Sequence, residues 1–120
     1  MGSHLNTEFD STHDVVLYNG DCLDLLSGMP DRQVKLVATS PPYNLGKPYE
    51  TRVTLDDYLH QQTKIIEECV RVLDRRGSIC WQVGNYVNNG EVVPLDIHLY
   101  PVFVSLGLHL RNRIVWHFGH

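Results

Sequence analysis

Apolar side chains in the middle of the chain recur with the spacing of an amphipathic helix. Between residues 55 and 73 they fall on one broad face, formed by Leu55, Tyr58, Leu59, Ile65, Ile66, Cys69, Val70 and Leu73. This spacing predicts a helix over 55–73 that buries one side. Thr54 is its expected N-cap, and Arg75-Arg76-Gly77 is expected to close its other end.

Short apolar, β-prone runs predict strands on either side of this helix. They cover residues 15–18, 34–38 and 78–83, and a further strand or hairpin arm is expected over 108–118. Trp81 and Trp116 lie in two of these runs, and we expect both in the core or in a pocket wall.

Helices and turns are predicted between the strands. A short helix is expected to begin near Cys22 and to stop at Gly28 and Pro30, and residues 88–91 read as a turn. A second long helix is predicted over 94–106, with a proline in its first turn and a kink or break at Pro101. Alternating strands and helices indicate an α/β fold with a largely parallel sheet covered on both faces.

A polar residue, two prolines and an aromatic residue stand where the strand 34–38 should end. The prolines cannot continue a central strand, and their carbonyls are free to accept hydrogen bonds. Acceptors of this kind suit the exocyclic amine of a nucleobase, whose lone pair must be drawn out of the ring before it can attack an electrophile. The alternative is a rigid turn with an ordinary buried tyrosine. The segment reads Thr39-Ser40-Pro41-Pro42-Tyr43-Asn44.

An acid also follows the strand 15–18, in the string Asn19-Gly20-Asp21. A carboxylate at the carboxyl end of a strand in an open α/β sheet is well placed to bind a polar group of a nucleotide-like ligand. Taken alone, an aspartate in such a string is more often a turn residue than a ligand contact.

Together these segments resemble the DNA amino methyltransferases, which modify cytosine at N4 or adenine at N6. The resemblance runs from about Val15 to His120 and rests on the spacing between Gly20-Asp21-Cys22 and the Pro-Pro-Tyr segment. It implies part of a Rossmann-like methyltransferase fold, DNA as partner and S-adenosylmethionine as cofactor. It also implies site residues: Ser40, Pro41, Pro42 and Tyr43 as the catalytic set, and Asp21, Cys22 and Ser40 for cofactor binding.

Ser40 at the first position of this motif is similar to the cytosine-N4 members, so N4 of cytosine is the favoured target. Adenine-N6 methylation is the alternative within the enzyme class. An alternative outside the enzymes is a non-catalytic remnant that dimerises or binds nucleic acid. Methylation of RNA or of a glutamine amide is a third, although those relatives typically carry asparagine before the prolines.

Length and glycine spacing predict an incomplete enzyme. Residues 1–13 read as a tag remnant and disordered leader, which leaves residues 14–120 as the catalytic half of a methyltransferase domain. Cofactor binding in this fold needs a glycine-rich turn, and the sequence has no Gly-x-Gly. We therefore expect the 120-residue chain to be inactive by itself and to form a homodimer or otherwise self-associate through its exposed half-sheet.

Charge and cysteine usage further narrow the expected ligands and cellular compartment of the protein. The net charge of the chain is −4, whereas a complete DNA-binding protein usually has a basic face. Residues 71–120 are more basic than the rest, with five basic and three acidic side chains. Three cysteines without Cys-x-x-Cys spacing and no membrane-spanning segment indicate a cytoplasmic protein. The seven histidines lack a ligand spacing, so no metal site is predicted.

Overall fold

The computed structural model describes residues 4–46 and 51–119. β1 and β2 form a parallel pair, and β3 and β4 form an antiparallel pair. This mixed architecture confirms the predicted α/β class. Residues 1–3 of the predicted leader and His120 lie outside the described residues. The elements in chain order are α1 (Cys22–Ser27), β1 (Val34–Thr39), α2 (Leu55–Val72), β2 (Leu73–Trp81), β3 (Asn85–Asn88), β4 (Glu91–Pro94) and α3 (Leu95–Ser105).

The central helix α2 forms as its periodicity predicts. The Thr54 hydroxyl caps it by accepting a hydrogen bond from the Asp57 amide at 3.2 Å. The helix packs against α1 and α3. The core is formed by buried side chains of α2, β2, β3 and α3: Tyr58, Ile66, Cys69, Val72, Leu73, Tyr86, Leu95 and Leu99.

The far end of α2 differs from the prediction. The helix passes directly into β2 at Leu73, whose backbone is already extended, so Arg75-Arg76-Gly77 lies within the strand and does not close the helix. From Ser78 to Trp81 the strand pairs with β1 as predicted, and an irregularity separates this ladder from the Val34 to Leu73 pair. Gly77 is required there, because a Cβ would lie 2.6 Å from a Leu73 methyl carbon.

One arginine fastens α1 to the end of α2. The Arg71 guanidinium donates to the carbonyl oxygens of Leu26 and Met29, at 2.7 and 2.8 Å, and pairs with the carboxylates of Glu68 and Asp31. These contacts span the end of α1 and the turn that follows it, so a single side chain fixes that segment on α2.

The predicted turn at 88–91 closes the hairpin of β3 and β4. Asn89 and Gly90 both have positive φ, the backbone of a two-residue hairpin turn. Helix α3 then follows Pro94, its N-cap, and runs unbroken through Pro101. The predicted split is wrong because Leu95 and Leu99, both fully buried, anchor the helix on the core despite the missing proline N–H.

Two predicted strands are absent from the part of the chain that the structure describes. Residues 15–18 make one isolated bridge, between Tyr18 and Asn6, and residues 108–118 have no regular structure. Both segments are rich in β-formers but have no strand beside them to pair with. The expectation for Trp116 is wrong for the same reason, since its side chain is 70% exposed, whereas Trp81 is half-buried against Phe103.

Candidate active site

The Pro-Pro-Tyr segment leaves the carboxyl end of β1, beside the carboxyl end of β2. Thr39 and Trp81 are partners in the parallel ladder, so the next residues, Ser40 and Gln82, are neighbours. The Gln82 amide donates to the Thr39 carbonyl at 3.0 Å, and the Ser40 hydroxyl donates to the Gln82 side-chain oxygen at 3.0 Å. The sheet therefore places a hydrogen-bonded pair of polar side chains where the prolines begin.

The segment forms the wall of an open cleft of about 310 Å³, lined by Ser40, Pro41, Pro42 and Tyr43. The two proline carbonyls are used differently. The Tyr58 hydroxyl donates to the Pro42 carbonyl at 2.6 Å, whereas the Pro41 carbonyl accepts no hydrogen bond from any residue in 4–46 or 51–119. Pro41 and the Ser40 hydroxyl are thus the acceptors that remain for a ligand.

The Tyr43 ring lies close against the backbone of Gly84. A Cβ at position 84 would come within 3.0 Å of the Tyr43 Cδ2 atom and 3.5 Å of Cε2. Because glycine has no Cβ, the ring can occupy this position, half-buried at the edge of the cleft. An aromatic ring held in this way offers a surface on which a planar base can stack.

Asn44 fixes the far end of the motif. Its backbone is left-handed, with φ of +59°, and its side chain is 2% exposed. The side-chain oxygen accepts from the Val53 amide, and the side-chain nitrogen donates to the Val53 carbonyl, both at 2.8 Å. We call this the Asn44–Val53 clamp, because it joins the residue after Tyr43 to the segment entering α2.

A second cavity, of about 300 Å³, lies between the motif and α2. Gln62 is 4% exposed, and its side-chain oxygen has no hydrogen-bond partner in the described structure. An unpaired buried oxygen of this kind destabilises the fold unless a water or a ligand satisfies it. The remaining walls are Pro42, Asn44, Thr51, Val53, Tyr58 and Gln61.

The two residues predicted for cofactor binding lie at the start of α1. Asp21 caps the helix, with one carboxylate oxygen accepting from the Leu23 amide at 2.9 Å. Its other oxygen accepts no hydrogen bond from the described residues, so the carboxylate fits a ligand hydroxyl or amine. Partial burial and, second, the neighbouring Asp21 raise the pKa of the Cys22 thiol.

The structure thus brings four of the predicted residues together, in the cleft of Ser40, Pro41, Pro42 and Tyr43, whereas Asp21 and Cys22 do not line it. Sequence reasoning missed the residues that hold the motif in place. Gln82 lies inside the predicted strand 78–83, whereas the observed strand ends at Trp81, so the prediction did not place this side chain at the end of the strand. The other three residues contact parts of the motif or its surroundings that are not their neighbours in sequence, so no local pattern predicts them. They are Asn44, through its side chain, Tyr58 and Gly84.

Metal-binding clusters and membrane-spanning helices are absent from the described residues. Within residues 4–46 and 51–119, no three His, Cys, Asp or Glu side chains cluster in a way that could hold a metal ion. None of the helices described is both long and apolar enough to cross a bilayer.

Comparison with known proteins identifies the family. The family model for DNA methylases of the N6 and N4 type matches residues 34–118. The chain is 51% identical over 117 residues to the type II methyltransferase M.BglII of Bacillus subtilis, covering 97% of this chain and 32% of that protein.

Two more relatives show the same pattern of coverage. The type II methyltransferase M.ScaI of Streptomyces caespitosus is 33% identical over 96% of this chain and 38% of its own length. The DNA adenine methyltransferase YhdJ of Escherichia coli K12 is 29% identical over 92% of this chain and 35% of its own length. The chain therefore spans about a third of these curated relatives. It belongs to the DNA methylase family of N6 and N4 methyltransferases.

Proposed function

We propose that this chain carries the amine-binding part of an S-adenosylmethionine-dependent DNA methyltransferase. The observation that supports it most directly is the cleft at the end of β1. There the Ser40 hydroxyl and the uncommitted Pro41 carbonyl stand beside the Tyr43 ring. These are two acceptors and a stacking surface, which is what a flipped base with an exocyclic amine requires.

The chemistry follows from how the amine is held. Its two N–H groups donate to Ser40 and to the Pro41 carbonyl, which favours a pyramidal nitrogen whose lone pair is available to attack. Tyr43 stacks on the base and offsets part of the cost of flipping, a few kcal/mol. Positioning is sufficient for catalysis, because the reaction needs no covalent intermediate with the enzyme.

S-adenosylmethionine, when bound, would supply a methyl group on a sulfonium: the N–C bond to the amine would form as the C–S bond breaks, the neutral thioether would leave, and the methylated amine would lose one proton to solvent. We assign Asp21 and Cys22 to its adenosine side and Ser40 to the boundary between cofactor and target. The free acceptor oxygen of Asp21 supports this role. A Rossmann-like sheet around the β1 and β2 pair is part of the same proposal.

We infer that the target is N4 of cytosine, with N6 of adenine as the alternative. The support is Ser40 at the motif's first position, where an ionised aspartate would be the other common acceptor. Relatives of this chain include one named as a DNA adenine methyltransferase, so the alternative stays open.

The test is nucleoside mass spectrometry on unmethylated DNA incubated with S-adenosylmethionine. Two proteins are compared: the 120-residue chain, and a fusion in which this chain replaces the matching third of M.BglII. We expect the fusion to produce N4-methylcytosine and Ser40→Ala to reduce the product at least tenfold. Ser105→Ala is the matched control, because within the described part of the chain that hydroxyl bonds only to its own helix, at the Val102 carbonyl.

The outcomes separate the parts of the proposal. If the product is N6-methyladenine, cytosine is not the target, and the assignment of the cleft as the amine-binding site stands. A fusion that methylates equally well with Ser40→Ala would reject the assigned role of the cleft. Methylation by the 120-residue chain alone would show that the expectation of an incomplete enzyme is wrong.

Self-association and a cytoplasmic location stay predictions. Exposed apolar side chains on β1 and in residues 108–118 support the first, including Leu36 at 59% and Ile114 at 88% exposure. Light scattering on the purified chain tests it, and a monomer at high micromolar concentration would reject it.

A further inference from the structure

The Ser40 hydroxyl carries a single proton, and the direction of that proton decides what the oxygen can do. A hydroxyl that donates elsewhere offers its lone pairs to an incoming N–H, whereas one that points its proton into the cleft repels it. In the structure the hydroxyl donates to the Gln82 side-chain oxygen at 3.0 Å. The proton is therefore directed along the strand ends, toward β2.

Gln82 is itself held in place by the sheet. Its backbone amide donates to the Thr39 carbonyl at 3.0 Å, which extends the parallel ladder by one bond beyond Trp81. The side chain is exposed and lies outside the set of residues that line the cleft. Among residues 4–46 and 51–119, its side chain forms a hydrogen bond only with Ser40.

We propose that Gln82 is a positioning residue for the methyl transfer. By accepting the Ser40 proton it keeps the lone pairs of that hydroxyl turned toward the target amine. This inference rests on the proposed function, since it assumes that Ser40 receives an N–H of the base. It also predicts that Gln82 matters only because residue 40 is a serine: an ionised carboxylate there has no proton to direct.

The first experiment measures the hydrogen bond in the 120-residue chain and needs no turnover. NMR follows the side-chain carbonyl carbon and amide protons of Gln82 in the chain and in Ser40→Ala. We expect the loss of the donor to shift the carbonyl carbon upfield and to leave the amide protons nearly unchanged. A shift confined to the amide protons would show that Gln82 donates to Ser40, and it would overturn the inference.

The second experiment measures methylation kinetics in the M.BglII fusion. Gln82→Met, which keeps the length but is only a weak acceptor, is expected to lower kcat roughly tenfold with a smaller effect on KM, the scale of one neutral hydrogen bond. Gln82→Glu accepts as well as the amide does, so it should restore most of the rate. Gln33→Met, at an exposed glutamine in the turn before β1, is the matched control.

Placing these substitutions on a Ser40→Asp background gives the sharpest contrast. Gln82→Met should then cost little, whereas Gln82→Glu should be harmful, because two carboxylates would face each other. The reversed order of the two variants is specific to proton direction and would not follow from a merely structural role. An unchanged order, or equal losses in Gln82→Glu and Gln82→Met with Ser40 present, would overturn the inference.

The two experiments separate this inference from the function on which it rests. If the fusion shows no methylation with any variant, that result counts against the proposed function. The NMR result on the chain still decides the direction of the Ser40 hydrogen bond.

Discussion

Replacing Asn44 with alanine removes both bonds of the Asn44–Val53 clamp and leaves a residue with φ near +59° that has no side-chain amide. The position is buried, so water cannot easily replace the lost partners. We expect the substitution to destabilise the whole fold and to loosen the segment that holds Tyr43.

The magnitude can be worked from the contacts. Each lost hydrogen bond costs about 1 kcal/mol, and an unpaired Val53 amide or carbonyl in these half-buried surroundings adds about 1 kcal/mol or more. The left-handed backbone costs alanine about 1 kcal/mol relative to a residue that tolerates it. The total is about 3–5 kcal/mol, a large part of the roughly 6–18 kcal/mol expected for a chain of this size.

Urea unfolding followed by tryptophan fluorescence measures this change, since Trp81 is half-buried against Phe103 and reports on the fold. Asn89→Ala is the matched control, because Asn89 has a similar φ of +50° in the exposed hairpin turn and no clamp. It should cost only about 1 kcal/mol. Equal unfolding midpoints for Asn44→Ala and Asn89→Ala would refute the contribution of the clamp.

Three further predictions concern other parts of the fold. Gly84→Ala should displace the Tyr43 ring, seen as changed ring-proton shifts by NMR, whereas Gly119→Ala, with open space around it, should not. Burial raises the pKa of the Cys69 thiol to about 11 from an ordinary value of 9.0, so the folded state resists its ionisation. This thiol should therefore leave stability in urea unchanged below pH 9 and lower it between pH 9 and 11, and Cys69→Ala should flatten that fall. Arg71→Met should cost about 2 kcal/mol in urea unfolding, because two carbonyls of the α1 segment lose their donor; an unchanged midpoint would contradict this.

The sequence was sufficient for the elements whose signals are local. Helix α2 follows from the 3.6-residue spacing of its apolar side chains and from the Thr54 cap, and the turn at Asn89-Gly90 follows from residues that tolerate positive φ. The motif residues could be named in advance because the prolines must end a strand, which places Ser40 at its carboxyl end. Each of these signals lies within a few residues of the feature it predicts.

The failures have one physical origin, which is that β-structure and polar contacts depend on distant partners. Residues 108–118 have the composition of a strand but nothing beside them to pair with, so Trp116 is exposed. The bond from Ser40 to Gln82 crosses 42 positions of the chain, and the one from Tyr58 to Pro42 crosses 16. No spacing rule specifies such pairs, since they exist only after the sheet register is set.

The direct passage of α2 into β2 at Leu73 has a mechanical meaning. No connector residues separate the helix from the strand, so tension applied along the paired part of β2 reaches α2 through residues 74–77 alone. The slack in this segment lies in residues 74–77, where the ladder with β1 is interrupted. Under a pulling force we expect these residues to straighten first, after which strand and helix yield together as one unit and carry the Ser40 end of β1 with them.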